Sequence, residues 1–571
     1  MGNQWSYAFV LLTVVMRAVL GATYDVVVIG SGPGGLVAAE YLSRNAGISV
    51  LVLEAGGPSL AVTGGKDVPA YAQGQGLTRF DIPGEYTNLA FQRDAKYRMG
   101  KDWIASPGSL WLGKVIGGSS SLNGMLYFHT PDSYVTEASW PYAASSVHQG
   151  FAAIEKVFGW TDLPSVDGKR YAQEAYRVLT DVLTSAGYKE ATAMNADAWR
   201  NKKHQTFGHP PFTIQNGLRN SPAKTFLGAA KTRPNFKLIS SATASYIIQS
   251  KDGDSQPLAA GGVVVAGSAV MTPKILMQSG VGPKAQLELL KNNGTFAGVS
   301  KDPTKWVLNE NVGSSIFDTH QLLMTFSRKD MVAFQQSQSP ADVTKQYLLG
   351  NHSGPWAQSP PVLIGYENYQ VGGRMYQFQV TTFTHGFAPG DGAKHIGVAI
   401  YLNNPISRDS GRFDKDGLYR INTAHSMYSD PRDRAALISF VDKFRKMMAA
   451  KGAAAVVPSA GVSSTDFVNN KVEGANHYGG SCYTSGDKSD SKRCADETFR
   501  VVGAKNIFVG DGSLMKEGTV NPYGFIMYSG YQAGVNVQAS VLSGPKPHGK
   551  NMPHMRLPRT FEAMDDNDTA A

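Results

Sequence analysis

The sequence predicts an α/β fold: a doubly wound parallel sheet, interleaved along the chain with a second domain built on an antiparallel sheet flanked by helices. Three observations predict it. A strand–turn–helix–strand unit begins near residue 24. The turn inside that unit carries three glycines spaced as G-x-G-x-x-G. Between 320 and 420 aromatic and polar residues alternate with a period of two, as in MYQFQVTTF from 375, which reads as a half-buried antiparallel sheet. At 571 residues the chain exceeds one ordinary core, so two domains or an interleaved pair are expected. With 42% hydrophobic and 17% charged residues it has the material for a packed interior and does not read as disordered.

Taken in order, residues 24–30 read as a buried strand, 34–45 as a helix with Leu36, Ala39 and Leu42 on one face, and 48–53 as a second strand. Residues 56–110 lose periodicity and read as a long surface excursion, followed by a Gly/Ser-rich stretch over 113–127. Helical stretches occur between 145 and 190, for example from 171. Residues 236–248 and 261–266 are strand-like, 432–450 forms an amphipathic helix, 506–511 a short strand and 522–541 a final helix. The expected division is a nucleotide-binding domain over 23–60, 105–135, 216–315 and 495–543, and a substrate domain over 61–104, 136–215 and 316–494. Residues 544–571 are expected to be a poorly ordered tail.

The net charge of +9 comes without Lys/Arg runs, which argues against a nucleic-acid binder. It suits a basic soluble surface, or attraction to anionic polysaccharide. Residues 8–16 form an apolar stretch too short to span a bilayer, and small residues near Ala22 suit cleavage. A secretory signal peptide over 1–22 is expected, and with it a secreted, extracellular chain with no membrane contact after cleavage; an uncleaved anchor is the alternative. The two cysteines, Cys482 and Cys494, then form either a disulfide or two free thiols. Asn293, Asn351 and Asn567 head glycosylation sequons.

Gly30, Gly32 and Gly35 follow a strand and open a helix, and Glu54 ends the next strand, 19 residues beyond Gly35. In that context the glycines form a dinucleotide site of Rossmann type. Gly30 permits the turn, Gly32 admits the pyrophosphate and Gly35 lets helix and strand pack. Glu54 is placed to accept from the ribose hydroxyls. The motif alone does not choose FAD over NAD.

Two further segments, GKVIGGSSSLNGM over 113–125 and SAVMTPKILMQSGVG over 268–282, resemble the glucose–methanol–choline (GMC) oxidoreductase family, together with the fingerprint. The resemblance spans essentially the whole chain after residue 22 and implies FAD, with Gly117, Ser119, Asn123, Ala244, Asp511 and Pro522 added to the cofactor residues. Thr130 stands where the family's signature has a smaller residue or Pro, and Pro131 comes one residue late. Members that attach FAD covalently use a His before the signature Asn. Leu122 stands there, which implies non-covalent FAD, with His129 the alternative attachment. No metal is assigned.

Alcohol oxidation needs a proton acceptor for the hydroxyl while the hydride leaves the carbon for flavin N5. The family match places His477 as the base, among twelve His, and Asn521 as the partner holding the substrate oxygen. Phe525 departs from the Thr usual there. The stretch GGKDVPAYAQGQGLTRFDIPG over 64–84, with LNGMLY, VDGKRY and AKTRPNFKL, looks like the flavin domain of cellobiose dehydrogenase, without its cytochrome domain. That likeness implies Asn476 and Arg412 (or Arg408) as substrate contacts, oxidation of the anomeric carbon of a cellobiose-like oligosaccharide to a lactone, and a quinone or other small electron acceptor. The competing expectations are an alcohol or sugar oxidase that makes hydrogen peroxide, a hydroxynitrile lyase that keeps FAD without net redox, and a silent binding protein.

Overall fold

The computed structural model describes residues 23–90, 97, 112–248, 259–293, 298–335, 340–387, 392–421 and 428–543. The expected signal peptide and the tail over 544–571 lie outside the described residues. In chain order the elements that build the site are β1 (Tyr24–Ile29), α1 (Pro33–Ser43), β2 (Val50–Leu53), α2 (Glu174–Ser185), β3 (Phe236–Ile239), β4 (Ala259–Val265) and α3 (Ser268–Gln278). They continue as β5 (His320–Ser327), β6 (Pro361–Val371), β7 (Arg374–Phe383), β8 (His395–Leu402), α4 (Pro431–Ala450), β9 (Glu473–Gly474), β10 (Ile507–Val509) and α5 (Tyr523–Ser543).

The first sheet is parallel throughout, in the order β10-β4-β1-β2-β3. Its strands are apolar on both faces because both faces are covered. Val26, Val28, Val50 and Val52 pack with Ala39 and Leu42 of α1 and Val537 of α5. Val27, Ile29 and Leu51 join the largest core cluster on the other face. Each such burial contributes roughly 1.5–3 kcal/mol relative to exposure. The strand expected over 236–248 stops at Ile239. Beyond it the chain leaves the sheet to follow the end of β2, where Ser241 N–H donates to Gly56 O and Ala242 N–H to Glu54 O. The helix expected from 171 begins at Glu174, after Ala172 adopts φ +51° and breaks the helical geometry.

The alternating region over 320–420 forms the core of an eight-stranded sheet, in which β5, β8, β7 and β6 pair antiparallel in that order. Its period of two sorts the faces. Leu322, Met324, Val398, Ile400, Phe378 and Val380 bury against Phe440 and Phe444 of α4 and Val178 and Leu179 of α2. The other face carries Gln321, Tyr401 and Gln379 in one row, by direct cross-strand pairing. The helix α4 starts where Asp430 caps it by accepting from Arg432 N–H at 2.8 Å, with Pro431 at its first position.

Candidate active site

The glycine-rich turn after β1 is set by close backbone approaches. Gly30 has φ +104°, and a Cβ on it would lie 2.3 Å from Ala266 O; one on Gly35 would lie 2.1 Å from Gly30 O. Neither position admits a side chain. Gly32 differs: a Cβ there would meet nothing within 4 Å. It is the N-cap of α1, no side chain caps that helix end, and its first turn holds no acidic residue. The partly positive helix terminus therefore faces open space beside Gly32.

Glu54 fastens this turn to the end of β2. Its Oε2 accepts from Ser31 N–H at 2.9 Å and Ser31 Oγ–H at 2.6 Å, and its Oε1 from Gly56 N–H at 2.7 Å. Burial pushes its carboxyl up, and those three donors pull it back. Ser31 Oγ also accepts from Gly117 N–H at 3.1 Å, which joins the second glycine-rich segment to the first. A Cβ on Gly118 would lie 3.1 Å from Gly32 Cα, so the two turns touch. Within the second segment, Ser119 Oγ accepts from Gly113 N–H at 3.0 Å. Asn123 Oδ1 accepts from Met125 N–H at 3.1 Å and Arg219 Nη1–H at 3.0 Å. Asp511, past the end of β10, is buried and accepts from Ser268 N–H, Thr272 Oγ–H and Ser513 N–H at 2.6–2.8 Å, so its carboxylate ties β10 to the start of α3. Ala244 packs half-buried against the main core.

A second cluster lies where β5 and β9 meet the start of α5. His477 Nδ1 and Thr319 Oγ1 are 3.0 Å apart, and His477 Nε2 stands 3.5 Å from Asn521 Nδ2. That second distance is long for a hydrogen bond, so the pair is in contact but weakly joined. Tyr401 of β8 stacks on the imidazole at 5.9 Å and 24°. Loss of solvent around the ring pushes the His477 pKa down to about 4, so the imidazole is neutral at ordinary pH. His477 N–H donates to Asp318 Oδ1 at 2.7 Å and Asn476 N–H to Asp318 Oδ2 at 3.0 Å. Tyr478 Oη–H donates to Asn476 Oδ1 at 2.6 Å. Asn521 and the buried Pro522 lead directly into α5.

The structure thus brings His477, Asn476 and Asn521 together, and separately Gly30, Gly32, Gly35, Glu54 and Gly117. It does not bring Arg412 to either group: its Nη1 donates to the carbonyls of Val312 and Gly411, at 2.9 and 2.8 Å, and ties the chain at 411–412 to the 309–313 turn. Arg408 is likewise engaged, with Glu517 Oε2 at 3.0 Å and over the Phe317 ring. Phe525 is fully buried against Tyr134, Trp140 and Tyr528, which accounts for an aromatic residue there. His129 lies 2.5 Å from Glu155. Cys482 and Cys494 form a disulfide, with Cα atoms 4.7 Å apart. Asp318, Thr319 and Tyr401 were not legible as site residues. They come from a strand entry and a sheet row, where no motif marks them.

Residues 39–318 match the N-terminal part and residues 407–530 the C-terminal part of the GMC oxidoreductase family. The chain belongs to that family. A choline dehydrogenase described as oxygen-dependent, from Brucella anthropi, is 31% identical over 283 residues, 46% of this chain and 49% of that protein. The chain thus spans about half the length of the curated relatives it matches. Among solved structures, a formate oxidase from Aspergillus oryzae superposes with a TM-score of 0.71 at 17% identity, over 91% of this chain and 98% of that one. A fungal aryl-alcohol oxidase gives 0.67 at 15%, over 91% and 100%. At such identity these structures establish the shared fold.

The family is one of FAD-dependent oxidoreductases acting on alcohol-like substrates, and the residues present fit that cofactor. The open space at Gly32, the uncapped end of α1 and the buried Glu54 offer the donors and acceptor that a dinucleotide needs.

Proposed function

We propose that this protein is a secreted, FAD-dependent sugar dehydrogenase that oxidises the anomeric carbon of a cellobiose-like oligosaccharide to a lactone. The observation that carries the chemistry is the approach of His477 Nε2 and Asn521 Nδ2 to 3.5 Å of each other. With Nδ1–H donating to Thr319 Oγ1, Nε2 holds the lone pair that takes the substrate hydroxyl proton. Asn521 Nδ2–H donates to the substrate oxygen and holds it as charge develops there. Bound FAD supplies the two-electron acceptor for the hydride of the carbinol carbon. Asn476, beside the base, is the sugar-contact candidate, whereas Arg412 is engaged elsewhere and is set aside.

The sugar assignment is supported by the cellobiose-dehydrogenase-like stretches over 64–84, 122–127, 166–171 and 230–238. Non-covalent FAD is supported by Leu122 before Asn123 and by the engagement of His129 with Glu155. Export is supported by the apolar stretch over 8–16 and by a buried disulfide, which suits an oxidising compartment. A quinone or other small molecule is the proposed electron acceptor. The likeness to an oxygen-dependent choline dehydrogenase and to an aryl-alcohol oxidase favours a second reading, an alcohol oxidase that reduces oxygen.

The test is anaerobic bleaching of the flavin by cellobiose, glucose, xylo-oligosaccharides, choline and aryl alcohols, followed by reoxidation with oxygen or benzoquinone. Bleaching by cellobiose and faster reoxidation by the quinone are expected. Bleaching by aryl alcohols alone, with fast peroxide formation, would replace the first reading by the second.

A further inference from the structure

The strand pairing that carries His477 is interrupted at the base itself. His320 pairs with Gly474, and Phe317 pairs with Gly479 through two bonds of 3.0 Å. Asp318 and Thr319 therefore stand opposite four residues, Ala475, Asn476, His477 and Tyr478. This is a bulge with two residues to spare. Ala475 N–H still reaches Thr319 O across the strands at 3.2 Å, but the amides of Asn476 and His477 lose their ladder acceptors, and buried amides need replacements.

Asp318 supplies them. Its two oxygens accept from two successive amides, Asn476 N–H and His477 N–H, at 3.0 and 2.7 Å. Tyr428 Oη–H donates to the same carboxylate at 3.2 Å, and the residue is fully buried. The surroundings are shaped to this carboxylate. A Cβ on Gly474 would lie 2.3 Å from Asp318 Oδ2 and 2.1 Å from Tyr428 Oη. Asn476 takes φ +61°, a conformation the bulge requires and Asn tolerates. Thr319, the next residue, holds the ring itself at Nδ1.

We propose that Asp318 is the positioning residue of this active site: it replaces the missing ladder across the bulge, fixes where His477 Nε2 stands relative to Asn521, and touches no substrate itself, acting through the two residues whose amides it holds and chiefly through His477. The inference rests on the reading of His477 as the base. A carboxamide at 318 would keep one acceptor and turn an N–H donor toward the second amide, donor against donor.

The experiment uses the flavin-loaded full chain at pH 8, above the value of about 7 to which burial lifts Asp318. Asp318→Asn, His477→Gln and the double variant are compared by anaerobic stopped-flow with saturating cellobiose, or with whichever alcohol of the panel bleaches the parent flavin. Asp318→Asn is expected to slow flavin reduction by about 10²-fold, the usual cost of a misplacement near 1 Å. KM should change less than about 3-fold and FAD content should hold, because Gly30, Gly35 and Glu54 lie in the other cluster. The double variant should be no slower than His477→Gln, the mark of two residues acting as one unit. Amide exchange in the 475–478 segment should rise in Asp318→Asn whatever the substrate. Gly474→Ala, which displaces the carboxylate but keeps its charge, should reproduce the same kinetic pattern and serves if Asp318→Asn does not fold. Rates near the parent in both variants, unchanged amide exchange, or additive losses in the double variant would overturn the inference. A parent-like rate in His477→Gln would instead remove the base assignment, and with it the basis of this proposal.

Discussion

The two turns that make this site are built on opposite plans. The turn at Gly30–Gly35 is local: its glycines, its helix and the end of β2 lie within 25 residues of sequence, from Gly30 to Glu54. Its shape is forced by backbone contacts that leave no room for a Cβ. The turn at Gly474–Tyr478 is remote from what holds it. Asp318 and Thr319 reach Asn476 and His477 with their side chains from 158 to 159 residues away. The first holds a cofactor by excluding side chains. The second, on the proposed reading of His477, aims a base by recruiting them.

The largest effect expected from this contrast follows from crowding. Gly35→Val places branched carbons where even a Cβ would lie 2.1 Å from Gly30 O, and the main chain cannot yield as a flexible side chain would. No soluble flavin-loaded enzyme is expected, by yield and by flavin absorbance per chain. A yellow, folded Gly35→Val protein would show that the local turn is more plastic than its contacts imply.

Next in size is His477→Gln, which should keep FAD and slow anaerobic flavin reduction by about 10²–10⁴-fold. Because burial holds the parent imidazole near a pKa of about 4, the neutral base predominates above that value. The reduction rate should therefore rise with pH through about 4 and be flat from about 5.5 upward. Free enzyme profiles with an inflection near 6.5 would place the ring in a wetter environment than the structure does. Asn521→Ala removes a hydrogen bond but leaves the base, and should slow reduction by only about 10-fold, read in the same trace.

The smallest effect sharpens the comparison from the other side. Gly32→Ala adds a methyl into open space at a backbone angle any residue adopts, so Tm of the flavin-free protein should move by little. Its cost should fall on the cofactor, as weaker FAD binding measured by dialysis or fluorescence. A large loss of stability without loss of FAD would mean that Gly32 serves the fold and not the nucleotide.

Much of the first turn was legible because its determinants are sequential. Val26 to Ile29, the glycine spacing and Glu54 each act on their neighbours in the chain, and the strand, turn and helix follow from steric and periodic rules. The alternating strands over 320–420 were equally readable, since a period of two reports one buried face. His477 and Asn521 could be named through the family resemblance, but not their separation or the direction of Nε2. The end of β3 at Ile239 was missed because the chain there answers to Glu54 and Gly56, not to its own strand propensity.

By itself the sequence determined the two-sheet architecture and the dinucleotide turn, because each is encoded in residue types at fixed spacing; His477 and Asn521 were reached only through the family resemblance. Only the tertiary structure decided that Arg412 turns away to Val312 and Gly411, that Tyr401 covers the imidazole, and that Asp318 and Thr319 hold it. Those choices depend on strand register and on which buried amides lack a partner. Both are properties of chain segments brought together from far apart, and no local pattern carries them.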